Sequence, residues 1–203
     1  MKIYEFEGFP NPARVRLALA EKGMTEQVEF ISVNVPGGEH QKAAFRAKNP
    51  TAAVPVLELD DGTCISECTA ITEYLDHLSG TPTLTGATPK ERAIVHMMQR
   101  RAEAGLLDAV GAYFHHATPG LGPDVETYQN AEWGEHQKTR ALAGMRYLNG
   151  VLADHPWLAG EHFSMADITA YAGLAFADFA GIDIPEECDN LVEWRGRVGA
   201  RYA

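Results

Sequence analysis

At 203 residues, with 45% hydrophobic and 22% charged side chains, the chain has the composition of a soluble globular protein large enough to bury a core. A net charge of -11 argues against nucleic acid as a partner, because no basic stripe offsets repulsion from phosphates. The 3 cysteines (Cys64, Cys68, Cys188) give neither a disulfide framework nor paired metal-ligand spacing, which fits a reducing, cytoplasmic setting; the apolar runs are too short to span a bilayer, and MKIYEF opens into a strand rather than a signal peptide.

Residues 2–6 alternate through Ile3, Tyr4 and Phe6 and read as the first strand. Gly8-Phe9-Pro10-Asn11 is a turn, and a helix is expected over residues 12–22. Asn11 would be its N-cap, Pro12 its first residue, Val15, Ala18 and Leu19 its inner face, and Gly23 its stop. A second strand at 28–33 and a loop at Pro36-Gly37-Gly38 precede a surface helix over 39–47. Val56, Leu57 and Leu59 form a further strand, Asp60-Asp61-Gly62 reverses it, and residues 63–66 run back. Ile71, Tyr74, Leu75 and Leu78 then fall at helical spacing. The order βαβαββα implies a small mixed sheet, with the first two strands parallel and the last pair antiparallel.

Pro55 stands directly before a buried strand and cannot donate to its ladder. A cis Val54-Pro55 bond would leave the backbone N–H and C=O of Val54 for a ligand. At Ser66-Glu67-Cys68 the next helix begins, and its first N–H groups have no helical partner. Together these make a place to hold a small anionic peptide, with Arg14, Arg16, His40, Lys42, Arg46 and Lys48 as the nearby cations.

Residues 80–89, rich in Pro and Gly, separate this part from a helical half over 90–203. One long helix is expected over 90–114, with Ile94, Met97, Met98, Leu106, Val110 and Phe114 among its apolar positions and Gly105 and Gly111 as bends. A second helix covers 130–153. Ser164 and Asp167 form a capping box flanked by Phe163 and Ile168, ahead of an alanine-rich core helix over 165–179. Asp167 is therefore assigned to folding rather than catalysis. The adjacent His115 and His116 point about 100° apart on a helix, so no metal is assigned.

The pattern V-P-x-L-x-L-x-D-G-x-x-I-x-E-x-x-A-I-x-x-Y-L over residues 54–75 resembles the glutathione-binding half of cytosolic glutathione S-transferases. Gly38-Glu39-His40, Phe45 and Asn49-Pro50 resemble the theta-like and bacterial members, an asparagine at Asn11 resembles the nu-like bacterial transferases, and W-L-A-G-x-x-F-S-x-A-D-I over 157–168 resembles the family's capping motif. The resemblance covers nearly the whole chain. It implies an α/β thioredoxin-like N-terminal domain over 1–79, a linker over 80–89 and an all-α C-terminal helical domain over 90–203. It also implies a cytoplasmic homodimer with glutathione as co-substrate, acting on a small hydrophobic electrophile and using neither nucleic acid nor membrane.

Residue by residue, the resemblance implies that Glu67 meets the γ-glutamyl amino group and that Val54 and Pro55 line the peptide. His40 would reach the glycyl carboxylate. Cys68 stands at the usual serine, where a thiol is a poor donor and leaves the carboxylate to the helix amides. The electrophile would sit between the domains, against Phe9, Glu103, Leu107, Val110, Tyr113 and Phe114. The chain also departs from its relatives. Phe9 replaces the bacterial serine, Phe9-Pro10-Asn11 replaces the Ser-Ser-Cys of zeta-like isomerases, and Ala52-Ala53 replaces a Gly-Lys or Gly-Gln.

Making a thiolate at neutral pH means lowering a thiol near 8.5 by about two units, roughly 2.7 kcal/mol. A hydrogen bond to a charged group contributes about 1.5–3 kcal/mol and a helix N-terminus about 0.3–1. Asn11 is the side-chain donor left in the first loop, so it is the candidate catalytic residue; the cap and the thiolate contact are both open to it, and Tyr4 is a weaker candidate. The activity is then conjugation, or reduction of disulfides or peroxides. The alternative is a binding or regulatory protein on the same fold, and maleyl-substrate isomerisation ranks third.

Overall fold

The computed structural model describes residues 1–78 and 80–202. Ser79, where the first domain was expected to end, and Ala203 lie outside the described residues. The chain divides into two compact units, Met1–Leu84 and Thr85–Ala203.

The first unit has the βαβαββα order. Strands β1 (Lys2–Glu5), β2 (Glu29–Ser32), β3 (Val56–Glu58) and β4 (Cys64–Ser66) form one sheet in the order β2-β1-β3-β4. β1 and β2 are parallel, with Ile3 beside Phe30; β3 runs antiparallel to both β1 and β4, with Leu57 between Ile3 and Ile65. Helices α1 (Pro10–Glu21) and α3 (Cys68–Leu78) lie against one face of this sheet. Side-chain alternation puts Ile3 and Leu57 on that face, where they meet Val15 and Leu19 of α1 and Cys68, Ile71 and Leu75 of α3. The expected helix over 39–47 is split. A 3₁₀ turn at Glu39–Gln41 is followed by an extended Lys42 (φ -70°, ψ 151°) and then the single turn α2 (Ala43–Arg46). The segment buries only Phe45, too little apolar surface to hold a longer helix.

Helix α1 begins at Pro10, two residues before the sequence places it. Its N-cap is Phe9, extended at φ -76° and ψ 146°, with no side-chain cap bond. Asn11 is thus inside the helix and does not cap it. Pro10 and Pro12 both fit the first turn, whose N–H groups have no helical acceptor. At the other end, Gly23 (φ +63°) follows α1 as expected. Lys22, its side chain largely covered, pairs with the fully buried Asp76 of α3 at 2.8 Å. Asp76 also accepts the backbone N–H groups of Thr83 and Leu84, at 3.0 and 2.9 Å, which fastens that segment to the first unit.

The second unit consists of α4 (Pro89–Ala102), a π-helical turn (Glu103–Leu107), α5 (Asp108–Ala117), α6 (Ala131–Asp154), α7 (Met165–Phe179) and α8 (Asp189–Gly199). The single helix expected over 90–114 is therefore interrupted. Gly105 is a point of close approach: a Cβ on Gly144 of α6 would stand 2.2 Å from the Gly105 carbonyl oxygen. Gly173 of α7 likewise lets Leu106 in, its would-be Cβ 3.0 Å from Leu106 Cγ. The Ser164–Asp167 capping box is present, with Phe163 and Ile168 both buried beside it. Asp167 further accepts from Leu158 N at 3.0 Å and from the indole Nε1 of Trp194 at 2.9 Å, tying α8 to the start of α7. No helix among the described residues is long and apolar enough to cross a membrane.

Candidate functional site

The sheet register explains why the expected ligand residues converge. Tyr4 lies beside Val56, and Val56 beside Ser66, so the exit of β1, the entry to β3 and the exit of β4 share one end of the sheet. From that end β1 leads to Phe9–Asn11, Val54-Pro55 leads into β3, and β4 leads through Glu67 into α3. The Val54-Pro55 bond is cis, and both residues precede the ladders, which begin at Val56. Buried Asn49 shapes the approach: its Nδ2 donates to Ala53 O at 2.8 Å, and its Oδ1 accepts from the Thr51 hydroxyl at 2.9 Å. Glu67 is exposed and left-handed (φ +71°), a conformation that costs a non-glycine residue energy and is held at few places outside functional sites.

At this end the starts of α1 and α3 touch. The buried Cys68 thiol donates to the backbone oxygen of Asn11 at 3.3 Å and lies 3.7 Å from its Oδ1. Oδ1 also accepts from Nη1 of the buried Arg14 at 2.9 Å. Asn11 and Cys68 are thus brought together, while Cys68 faces the protein rather than a ligand carboxylate. In the sequence Arg14 is one of several nearby cations, and its spacing of three from Asn11, about one helical turn, is the signal that links the two.

The other cations are mostly committed. Arg16 forks onto the buried Glu5 and stacks over Phe30 at 4.0 Å; the hydrogen bond to that carboxylate holds its proton more tightly than usual. Lys48 pairs with Glu58 and lies 4.6 Å over the Tyr4 ring. The Lys48–Glu58 hydrogen bond raises the lysine and lowers the glutamate. Tyr4 is therefore engaged on the face opposite α1, away from the loop before that helix. Arg46 donates to Gln41 O at 3.2 Å and Pro50 O at 3.1 Å. That bracing holds the turn carrying His40, whose Nδ1 is buried with no hydrogen-bond partner among the described residues. Burial first, and Arg46 second, hold His40 toward its neutral form.

The residues expected to face the electrophile are unevenly placed. Phe9 is half-buried with its ring edge-on to Phe6 at 4.7 Å. In the second unit Glu103 is half-buried on the π turn and accepts from Arg100 at 3.3 Å, and Tyr113 lies 5.1 Å beneath Lys138. Val110 has no accessible surface, and Leu107 is buried as well. Phe114 packs against Phe176 and Phe179 of α7. These three are interior residues of the helical unit, because the apolar stripe of a core helix is consumed by its neighbours. His115 holds Glu126 at 2.7 Å and His116 accepts Asn130 N at 3.2 Å, so both brace the loop before α6. No cluster of metal-ligating side chains occurs among the described residues.

Family models described as "Glutathione S-transferase, N-terminal domain" and "Glutathione S-transferase, C-terminal domain" match residues 10–78 and 131–197. Glutathione S-transferase 2 of Saccharomyces cerevisiae is 58% identical over 201 residues, which is 99% of this chain and 86% of the yeast protein. The chain belongs to the glutathione S-transferase family. Among solved structures, a glutathione S-transferase domain-containing protein of Marinobacter aquaeolei VT8 is 65% identical with a TM-score of 0.97, over 99% of this chain and 98% of that one. The crystal structure of Gtt2 from Saccharomyces cerevisiae is 58% identical with a TM-score of 0.96, over 98% and 95%. In a glutathione transferase the thioredoxin-like unit holds the peptide, and the convergent sheet end is where this chain gathers its candidates for that task. The loop before α1 contains neither serine nor cysteine, and Asn11, in the first turn of that helix, is the side-chain amide donor nearest to it.

Proposed function

We propose that this glutathione transferase binds glutathione along the end of the sheet where α1 and α3 begin. Glu67 meets the γ-glutamyl amino group, and the first N–H groups of α3 take its carboxylate. Val54, ahead of Pro55, pairs with the peptide's cysteinyl backbone, and the orphaned Nδ1 edge of His40 serves the glycyl end. Asn11 donates from Nδ2 to the sulfur and favours the thiolate, which then attacks a small hydrophobic electrophile and expels its leaving group. The observation that carries this reading is the junction of the two helix starts at Asn11 and Cys68. It places an amide donor beside the N-terminus that would anchor the peptide. Within the first unit, Phe9 is the residue that would meet the electrophile, and the working form is a cytoplasmic homodimer without metal.

The test is a calorimetric titration with glutathione, followed by turnover of an aryl halide and of a mixed disulfide. We expect measurable binding and thiol-dependent turnover. No heat at millimolar glutathione would leave a non-catalytic binding protein on this fold. If binding is seen, Asn11→Ala should raise the pKa of the bound thiol by about one, as loss of a charge-assisted hydrogen bond requires.

A further inference from the structure

We infer that Arg14 is a positioning residue: it seizes the oxygen of the Asn11 amide and so turns its Nδ2 outward, toward the glutathione sulfur. This rests on the reading above, in which Asn11 is the thiolate donor. The two ends of an asparagine amide are nearly the same size, so only its partners decide which way it faces. Here the partners discriminate. A guanidinium donates and cannot accept, so the amide atom 2.9 Å from Arg14 Nη1 must be oxygen. The Cys68 thiol spends its single hydrogen on the Asn11 backbone oxygen at 3.3 Å, which fixes the first turn of α1 beside α3 and leaves the sulfur 3.7 Å from Oδ1. Flipping the amide would set NH₂ against the guanidinium and forfeit the charge-assisted bond to a buried arginine. Nδ2 donates to none of the described residues, and Asn11 is exposed, so that edge is the one a ligand can use.

The arrangement also gives the two substituted positions of this chain a joint purpose. Cys68 stands where relatives carry a ligand-binding serine, and Asn11 lies in the first turn of α1, behind a loop without their nucleophile-activating hydroxyl. The thiol has left the ligand side and braces the residue that replaces that hydroxyl.

The experiment measures, in the full chain, glutathione affinity by calorimetry and the pKa of the bound thiol by the ultraviolet absorbance of the thiolate. Asn11→Asp is the decisive variant. It keeps an acceptor for Arg14 but turns a negative oxygen toward the sulfur, so the bound thiol should lose more than the about tenfold of thiolate that Asn11→Ala removes. Arg14→Lys retains the charge but loses the fork, and should raise the thiol pKa while glutathione still binds. Arg14→Met should raise it too, and adding Asn11→Ala to Arg14→Met should add little, since both break one device. Cys68→Ala, which removes the contact to the Asn11 backbone oxygen but leaves the arginine in place, should move the pKa less than Arg14→Met does. Binding with a thiol pKa unmoved in Arg14→Lys and Asn11→Asp would overturn the clamp and leave the transferase reading intact. If Arg14→Met does not fold, the lysine and aspartate variants decide. Absence of glutathione binding by the unaltered chain would overturn both.

Discussion

Burial pushes the Asp167 carboxyl up to about 6, against hydrogen bonds from Leu158, Trp194 and Ser164 that pull it down. A folded-state pKa above the ordinary 3.8 means that the native chain holds a proton which the unfolded chain has released between these values. The group's contribution is therefore complete below about pH 4 and lost as pH rises through 6, on the order of 3 kcal/mol in all. Scanning calorimetry across this range should show the difference in stability between the unaltered chain and Asp167→Asn changing with that sign and levelling off above pH 7. Asp167→Ala, which strands the Leu158 and Ser164 N–H groups and the Trp194 indole, should cost about 3–5 kcal/mol. At Lys22, replacement by methionine keeps the packing but leaves the buried Asp76 without this cation. Loss of about 3–5 kcal/mol in denaturant titration is expected, with faster hydrogen exchange at the Thr83 and Leu84 amides.

Helices of the second unit are fitted to one another by absent side chains. A methyl group on Gly144 would press on the Gly105 carbonyl at 2.2 Å, and that contact is backbone, which cannot swing aside. Gly144→Ala should therefore destabilise by about 1–3 kcal/mol or expel the π turn into regular helix. Gly150, on the same helix α6, has open space around its missing Cβ. Gly150→Ala should stabilise by about 0.5–1 kcal/mol, because alanine restricts the unfolded chain and suits a helix. Thermal melts of the two variants should move in opposite directions. Equal destabilisation of both would mean that the close approach does not control α6. Gly105 marks the place of the π turn in the sequence, but its close approach to Gly144, far along the chain, could not be read there. The α8 helix was legible and missed: Leu191, Trp194 and Val198 recur at helical spacing and are all buried.

For the molecule as a whole, the sheet could be read from period-two apolar runs, the Asp-Asp-Gly turn and the proline before β3. Those are local signals that the tertiary structure did not override. The capping box before α7 belongs to the same class. The start of α1 was misplaced because two prolines each suit a first turn, and an asparagine before a proline imitates a cap. Within the candidate site, the start of α3 at Glu67 and Cys68 was findable from the strand-turn-helix junction. The hold of Arg14 on Asn11 was not, because which acceptor a long cationic side chain selects depends on what the fold packs around it. The interior places of Val110 and Phe114 were likewise set by α7. The proposed homodimer should sediment near twice the 22.2 kDa of the chain; a single-chain mass at micromolar concentration would remove it.

The clasp at Lys22 carries a practical consequence for dissecting the protein. A fragment ending with the last residue of α3 would keep Asp76 but lose the amides of Thr83 and Leu84 that it grips. Anyone wishing to express the peptide-holding half alone should extend it through Leu84, letting the connecting strip travel with the half it is fastened to.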